Sequence, residues 1–99
     1  MSVAGNWQLV LNSPMGKQDV SLDLKEVDGQ LSGILVNTTN DMTSEILEGT
    51  VEGDELRWKV KLPKGKMTLV FTTTVTEDTM SGKVKAGMFG SFKLSGQRV

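Results

Sequence analysis

The chain has no cysteine, no histidine and no tyrosine. Without cysteine there is no disulfide framework, no thiolate nucleophile and no sulfur ligand for a metal. Without histidine, Ser-His and Cys-His nucleophile systems, His-ligated zinc and a histidine general base are excluded. Any acid–base chemistry therefore falls to carboxylates or lysines. A surplus of either charge is lacking as well: 11 Lys and Arg stand against 12 Asp and Glu. That balance argues against nucleic-acid binding driven by phosphate neutralisation. No apolar stretch approaches membrane-spanning length, and residues 1–15 lack the basic start and hydrophobic run of a signal peptide. The expectation is a soluble, cytoplasmic chain without a membrane partner. Phosphate-cradling patterns are missing, since SPMGK and LPKGK join strand to strand and open no helix. Neither a cofactor nor a metal is implied.

Helical periodicity is nearly absent too, and what fills the chain is strict alternation. Apolar residues recur at every second position in Trp7-Leu9-Leu11, Val20-Leu22-Leu24, Leu31-Gly33-Leu35 and Leu47-Gly49-Val51. The pattern continues in Leu56-Trp58-Val60-Leu62, Met67-Leu69-Phe71-Thr73-Val75, Met80-Gly82-Val84-Ala86 and Phe92-Leu94-Gly96. Short turn signals separate them at Asp28-Gly29, Glu52-Gly53-Asp54 and Glu77-Asp78-Thr79. Eight antiparallel strands with one apolar face must hide that face, and 99 residues make one domain. Closing the sheet on itself does so and leaves no aggregation-prone edge. The fold expected over residues 1–99 is all-β, an eight-stranded antiparallel up-and-down β-barrel, with a two-sheet sandwich as the alternative.

A second pattern has a much longer period. At an offset of 49, Pro14, Gly16 and Lys17 fall on Pro63, Gly65 and Lys66, and Val20, Leu22 and Leu24 fall on Leu69, Phe71 and Thr73. Leu31-Ser32-Gly33 falls on Met80-Ser81-Gly82, and Trp7 answers Trp58 once two residues are dropped before the proline. The reading is an internally duplicated four-strand unit, with halves about 5–51 and 54–99.

Up-and-down topology sends alternate turns to opposite ends. The tight turns share one end with both termini and carry Asp28, Glu52, Asp54, Glu55, Glu77 and Asp78. The connections at 12–17, 37–44, 63–66 and 86–90 share the other end, with Lys17, Lys61, Lys64, Lys66 and Lys85. Met15, Met42, Met67, Met88 and Phe89 also map there. Methionine is unbranched and polarizable and suits varied apolar partners. A pocket for a small hydrophobic or amphipathic molecule is therefore expected at this end. Its lining would be Met15, Gln18, Asn37, Met42, Leu62, Met67, Met88 and Phe89, with Trp58 and Phe71 as a deeper floor or simply as core.

A catalytic alternative rests on Glu45. Counting parity from Leu47, Gly49 and Val51 turns Glu45 inward near the mouth. A carboxylate among Met, Phe and Leu could serve as a general acid or base for a cofactor-free isomerase, lyase or cyclase. Asn37 and Gln18 would donate to a developing oxyanion; Asp41 is the second choice of carboxylate. A third reading is an accessory stability or interaction domain with a filled core and no ligand. Val10, Ile34, Val36, Ile46 and Val70 count outward, enough apolar surface for a homodimer.

Gly5-Asn6-Trp7 on the first strand and Arg98 on the last resemble the calycin-like barrels, the lipocalins, fatty-acid-binding proteins and avidins. In these an early Gly-x-Trp closes one end and a basic residue packs over the indole, so the resemblance implies a cation–π contact of Arg98 on Trp7. GNWQLVLNSPMGKQDVSLDLKEVDGQLSG and KMTLVFTTTVTEDTMSGKVKAGMFGSFKLSGQR resemble, over nearly the whole chain, a small bacterial β-domain often found C-terminal to amidohydrolase-type enzymes. That resemblance implies an accessory module without an assigned catalytic residue. The chain departs from that domain's pattern at Thr73, where the domain has Gly, at Lys64, where it has Met, and at NTTNDMTSE, where it has a Gly-rich turn.

Overall fold

The computed structural model describes residues 3–13, 16–39, 41–61, 68–87 and 90–99. Among them are nine strands and no α-helix: β1 (Gly5–Ser13), β2 (Gly16–Val27), β3 (Gln30–Asn37), β4 (Met42–Glu45), β5 (Leu47–Glu52), β6 (Glu55–Lys61), β7 (Thr68–Thr76), β8 (Thr79–Lys85) and β9 (Ser91–Arg98). Each pairs antiparallel with its neighbour, and β9 returns to β1 through Trp7↔Arg98 to Asn12↔Lys93. One continuous sheet thus closes on itself, which removes the sandwich alternative. β4 continues the line of β5 past Ile46, so the two strands together make the fourth of eight staves. The result is a closed, eight-stranded antiparallel barrel.

Alternation decides what lies inside. Trp7, Leu9 and Leu11 of β1, Val20, Leu22 and Leu24 of β2, Leu56, Trp58 and Val60 of β6, and Phe71, Thr73 and Val75 of β7 are all buried. The residues between them face water or are partly covered by neighbours. Burying a side chain of this size contributes about 1.5–3 kcal/mol, so every stave is held in register by its own inner row. The three tight turns need left-handed backbone, and the sequence supplies it at Asp28 (φ 51°) with Gly29 (φ 80°), at Gly53 (φ 60°) and at Glu77 (φ 56°).

Parity fails in the fourth stave, and the cause is one extra residue. From Leu31 to Ile34 on β3 is three steps, but their partners Gly49 and Glu45 lie four steps apart. Across the other edge, Lys59 to Arg57 is two steps against three from Leu47 to Thr50. The surplus is taken up as a bulge at Ile46–Glu48, with Glu48 at φ 49° and the Ile46 amide donating to the Gly33 carbonyl at 3.1 Å. A one-residue slip turns side chains to the other face. Ile46, expected outside, is therefore buried, while Leu47, expected inside, is exposed. Glu45 turns outward opposite Ile34. Of the other outward residues, Ile34 is exposed and Val10, Val36 and Val70 are half-buried.

Gly33 and Gly82, 49 positions apart, serve the same end. A Cβ at Gly33 would strike the Asp23 carbonyl, and one at Gly82 the Thr72 carbonyl. Only a hydrogen there lets adjacent staves coil so closely. At the tight end the Trp7 indole donates to the Val3 carbonyl at 3.0 Å. The Arg98 guanidinium lies 4.5 Å from the ring centroid of Trp7 and donates to the Ala4 carbonyl at 2.6 Å. That is the cation–π closure implied by Gly-x-Trp.

Candidate functional site

The open end is where β1 meets β2, β3 meets β4, β6 meets β7, and β8 meets β9. Gln18 stands opposite Leu11 and Asn37 opposite Val20, so both side chains belong to the inner face. The Asn37 amide donates to Gln18 Oε1 at 2.8 Å. Asn37 Oδ1 in turn accepts from the Thr39 amide at 2.9 Å, and Thr39 Oγ1 accepts from the Asp19 amide at 2.9 Å. The two expected amides are thus brought together, and their first task is to help hold Thr38 and Thr39 against β2.

Met42, opposite Asn37, also faces inward and is half-buried. Trp58 and Phe71 are both 1% exposed and stack with centroids 5.1 Å apart and planes 15° from parallel. Met15, Leu62, Met67, Met88 and Phe89 lie outside the described residues, as do Lys64 and Lys66. Glu45 is exposed on the outer wall. The enclosed carboxylate that parity predicted is replaced by Ile46, so the geometry that pointed to Glu45 as an acid–base group does not form. Asp41 is likewise exposed, at φ 59° in the corner.

Three inner-face residues join the site beyond those expected to line it, and parity failed for one of them. Ser44 turns inward because of the bulge and sits opposite Leu35. Leu69 and Phe92, which alternation places inside, are partly buried and pack on the core. Gln18, Asn37, Met42, Ser44, Leu69 and Phe92 form an inward ring that is only half-buried. Their cross-strand partners Val20, Leu35, Val60 and Val84, with Ile46 and Phe71 next along the strands, are 0–6% exposed. Among the described residues the barrel is therefore packed in its middle and less fully buried toward one end.

The described hydrogen-bond ladder is also interrupted there, although β4 and β6 remain neighbours. Past Leu47↔Lys59 no ladder pair among the described residues joins β4 to β6. Met42–Glu45 are paired through β3, and Val60 and Lys61 through β7. Beside the bulge, Lys59 Nζ and Glu48 Oε2 lie 3.3 Å apart.

Charge is sorted along the barrel. One register row on the outer wall reads Arg57, Thr72, Lys83, Lys93, Asn12, Lys17, with four cations and no carboxylate. Lys59, Lys61 and Lys85 lie closer still to the open end. The tight end carries Asp28, Asp54, Glu77 and Asp78 at its turns, with Arg98 bridged to Asp78 at 3.2 Å.

No protein-family model matches the chain, and none of the curated proteins does. Among solved structures it is similar to a de novo designed fluorescence-activating β-barrel, with a TM-score of 0.67 and 14% identity over 97% of this chain and 93% of that one. At that identity the likeness speaks for the barrel fold.

Proposed function

We propose that the barrel binds a small, largely apolar molecule at its open end. The observation that carries this reading is the set of half-buried inward residues at this end, beside fully buried cross-strand partners, apolar through Met42, Leu69 and Phe92 and polar through Gln18, Asn37 and Ser44. Pockets for small molecules combine these features, an apolar concavity with a few placed polar groups. The designed barrel of similar fold is described as fluorescence-activating, and a pocket for a small molecule here fits that likeness. The methionines of the 14–15, 62–67 and 88–89 connections, with Lys17, Lys61 and Lys85, would border the mouth. The accessory-domain role falls to a version of this barrel whose mouth is filled.

Nile red titration tests the proposal. The expected result is saturable binding with a blue-shifted emission, one dye per chain, abolished by Leu69→Arg on the inner ring and unchanged by Val10→Arg on the outer wall. Dye binding that survives Leu69→Arg and is lost with Val10→Arg would move the site to the outside of the barrel and refute the reading.

A further inference from the structure

The outer wall differs between the two halves of the chain. On β7, β8 and β9 two rows of outward residues lie side by side, Val70, Lys85 and Ser91 in one, Thr72, Lys83 and Lys93 in the next. Neighbours are roughly 5 Å apart across the strands and roughly 7 Å apart along them, so one small molecule spans all six. Three of these residues are lysines, two carry hydroxyls and none is acidic. By the offset of 49 and by register, the corresponding rows on β2, β3 and β4 are Ser21, Val36 and Thr43, then Asp23, Ile34 and Glu45. There the same positions hold two carboxylates and no cation. The barrel accepts either set, so its folding does not require the three lysines.

Their placement works against stability. Lys83 and Lys93 stand directly opposite each other, and like charges so placed repel. The neighbouring cations on β6 are neutralised. Lys59, beside Val70, pairs with Glu48 at 3.3 Å, and Arg57, beside Thr72, pairs with Glu55 at 2.8 Å. Lys83, Lys85 and Lys93 have no ion-pair partner among the described residues. Beside them the surface dips into a hollow lined by Val70, Thr72, Lys83, Lys85, Gly90 and Ser91. Val70, half-buried, is its apolar part.

We infer that this hollow binds a phosphate monoester of a small apolar group, its phosphoryl oxygens held by Lys83, Lys85 and Lys93 and its organic group lying on Val70. A single carboxylate offsets one of three positive charges. A phosphoryl group brings nearly two negative charges and three acceptor oxygens, one for each ammonium. Lysine binds such a group as a point charge. Thr72 and Ser91 add hydroxyls able to donate to the same oxygens, and Val70 gives the ester's carbon an apolar contact that inorganic phosphate lacks. The site lies on the outer wall and stands apart from the interior pocket proposed above.

Amide chemical-shift titration of the whole chain with phenyl phosphate, benzoate and inorganic phosphate, at fixed ionic strength, tests the site. Phenyl phosphate should give saturable shifts, largest at residues 70–72, 83–85 and 91–93. It should bind roughly tenfold more tightly than benzoate, as one further charge-assisted hydrogen bond would give, and more tightly than inorganic phosphate. Lys83→Gln and Lys93→Gln should each weaken it roughly twofold to fivefold. Lys25→Gln on β2 removes the same charge elsewhere and should leave binding unchanged. Lys83→Gln should melt no lower than the wild type without ligand, because it relieves the repulsion with Lys93, so weaker binding would not reflect unfolding. Equal weakening by Lys25→Gln, benzoate bound as tightly as phenyl phosphate, or no saturable shift would overturn the site and leave the Nile red result untouched. Inorganic phosphate bound as tightly as the ester would overturn the contact with Val70. Sedimentation of the chain with phosphatidylcholine vesicles containing phosphatidic acid, lost in Lys83→Gln, would keep the phosphate site and assign it to a lipid headgroup. Phenyl phosphate binding without sedimentation assigns it to a soluble ester.

Discussion

Removing Glu48 outright should leave the barrel standing, although a one-residue deletion inside a β-strand is ordinarily ruinous. Glu48 is the surplus residue of the fourth stave. Without it, Gly49 and Glu45 would lie three steps apart, matching Leu31 and Ile34, and Thr50 and Leu47 two steps apart, matching Arg57 and Lys59. Every registered pair survives, and Ile46 stays in while Leu47 and Glu45 stay out. The deletion also removes a non-glycine residue at φ 49°, a conformation costing about 1–2 kcal/mol. It gives up the Glu48–Lys59 pair, whose side chains are 72% and 43% exposed and which is worth about 0–1 kcal/mol. The net expectation lies between no change and a gain of about 2 kcal/mol. Deleting Asp23 from the regular β2 is the contrasting case. Leu24, now 1% exposed, would turn out at a loss of about 2–3 kcal/mol. Lys25 would turn in, at several kcal/mol for an unpaired ion. Together these approach the whole stability of a small domain, about 5–15 kcal/mol. Urea unfolding followed by tryptophan fluorescence measures both variants. A loss above about 3 kcal/mol on deleting Glu48, well beyond the pair it removes, would refute the bulge and with it the outward placement of Glu45.

Gly82→Ala should cost about 1–3 kcal/mol as an overpacking change, because its Cβ would meet the Thr72 carbonyl and lie 2.6 Å from Thr73 Cα. Gly53→Ala, with open space around it, should cost only its left-handed backbone; thermal melts that rank the two the other way would contradict the close approach of β7 and β8. Arg98→Ala removes the cation over Trp7 and the bond to the Ala4 carbonyl, an expected loss of about 2–4 kcal/mol in denaturant unfolding, and Arg98→Lys should restore less than half of it because an ammonium lacks the planar fork. Lys83→Glu would place opposite charges across the β8–β9 pair at Lys93, a gain of up to about 1 kcal/mol at low salt that should vanish near 1 M salt; a gain unaffected by salt would mean that it is not electrostatic.

Much of this architecture was legible because alternation is a direct image of burial. Trp7, Leu22, Trp58 and Phe71 each sit inside, where a period of two puts them, and the two ends separate because up-and-down topology fixes which connections meet. Glu45 was misread for a physical reason. A bulge adds one residue without a local signature, and Glu48 is not the glycine or asparagine that usually marks left-handed backbone. Ser44 was missed through the same slip. The capping of the Trp7 indole could not be read at all, since it depends on whether the Val3 carbonyl, four residues upstream and ahead of β1, folds back over the ring.

The sorting of charge gives a nearly neutral chain a permanent dipole moment along its axis, positive at the open end. Such a molecule does not tumble indifferently beside a charged boundary. It turns its lysine belt toward negative charge and its acidic turns away. A cation-exchange resin should accordingly retain it at neutral pH, above its isoelectric point of about 5.3. Any negatively charged surface would meet the barrel mouth first.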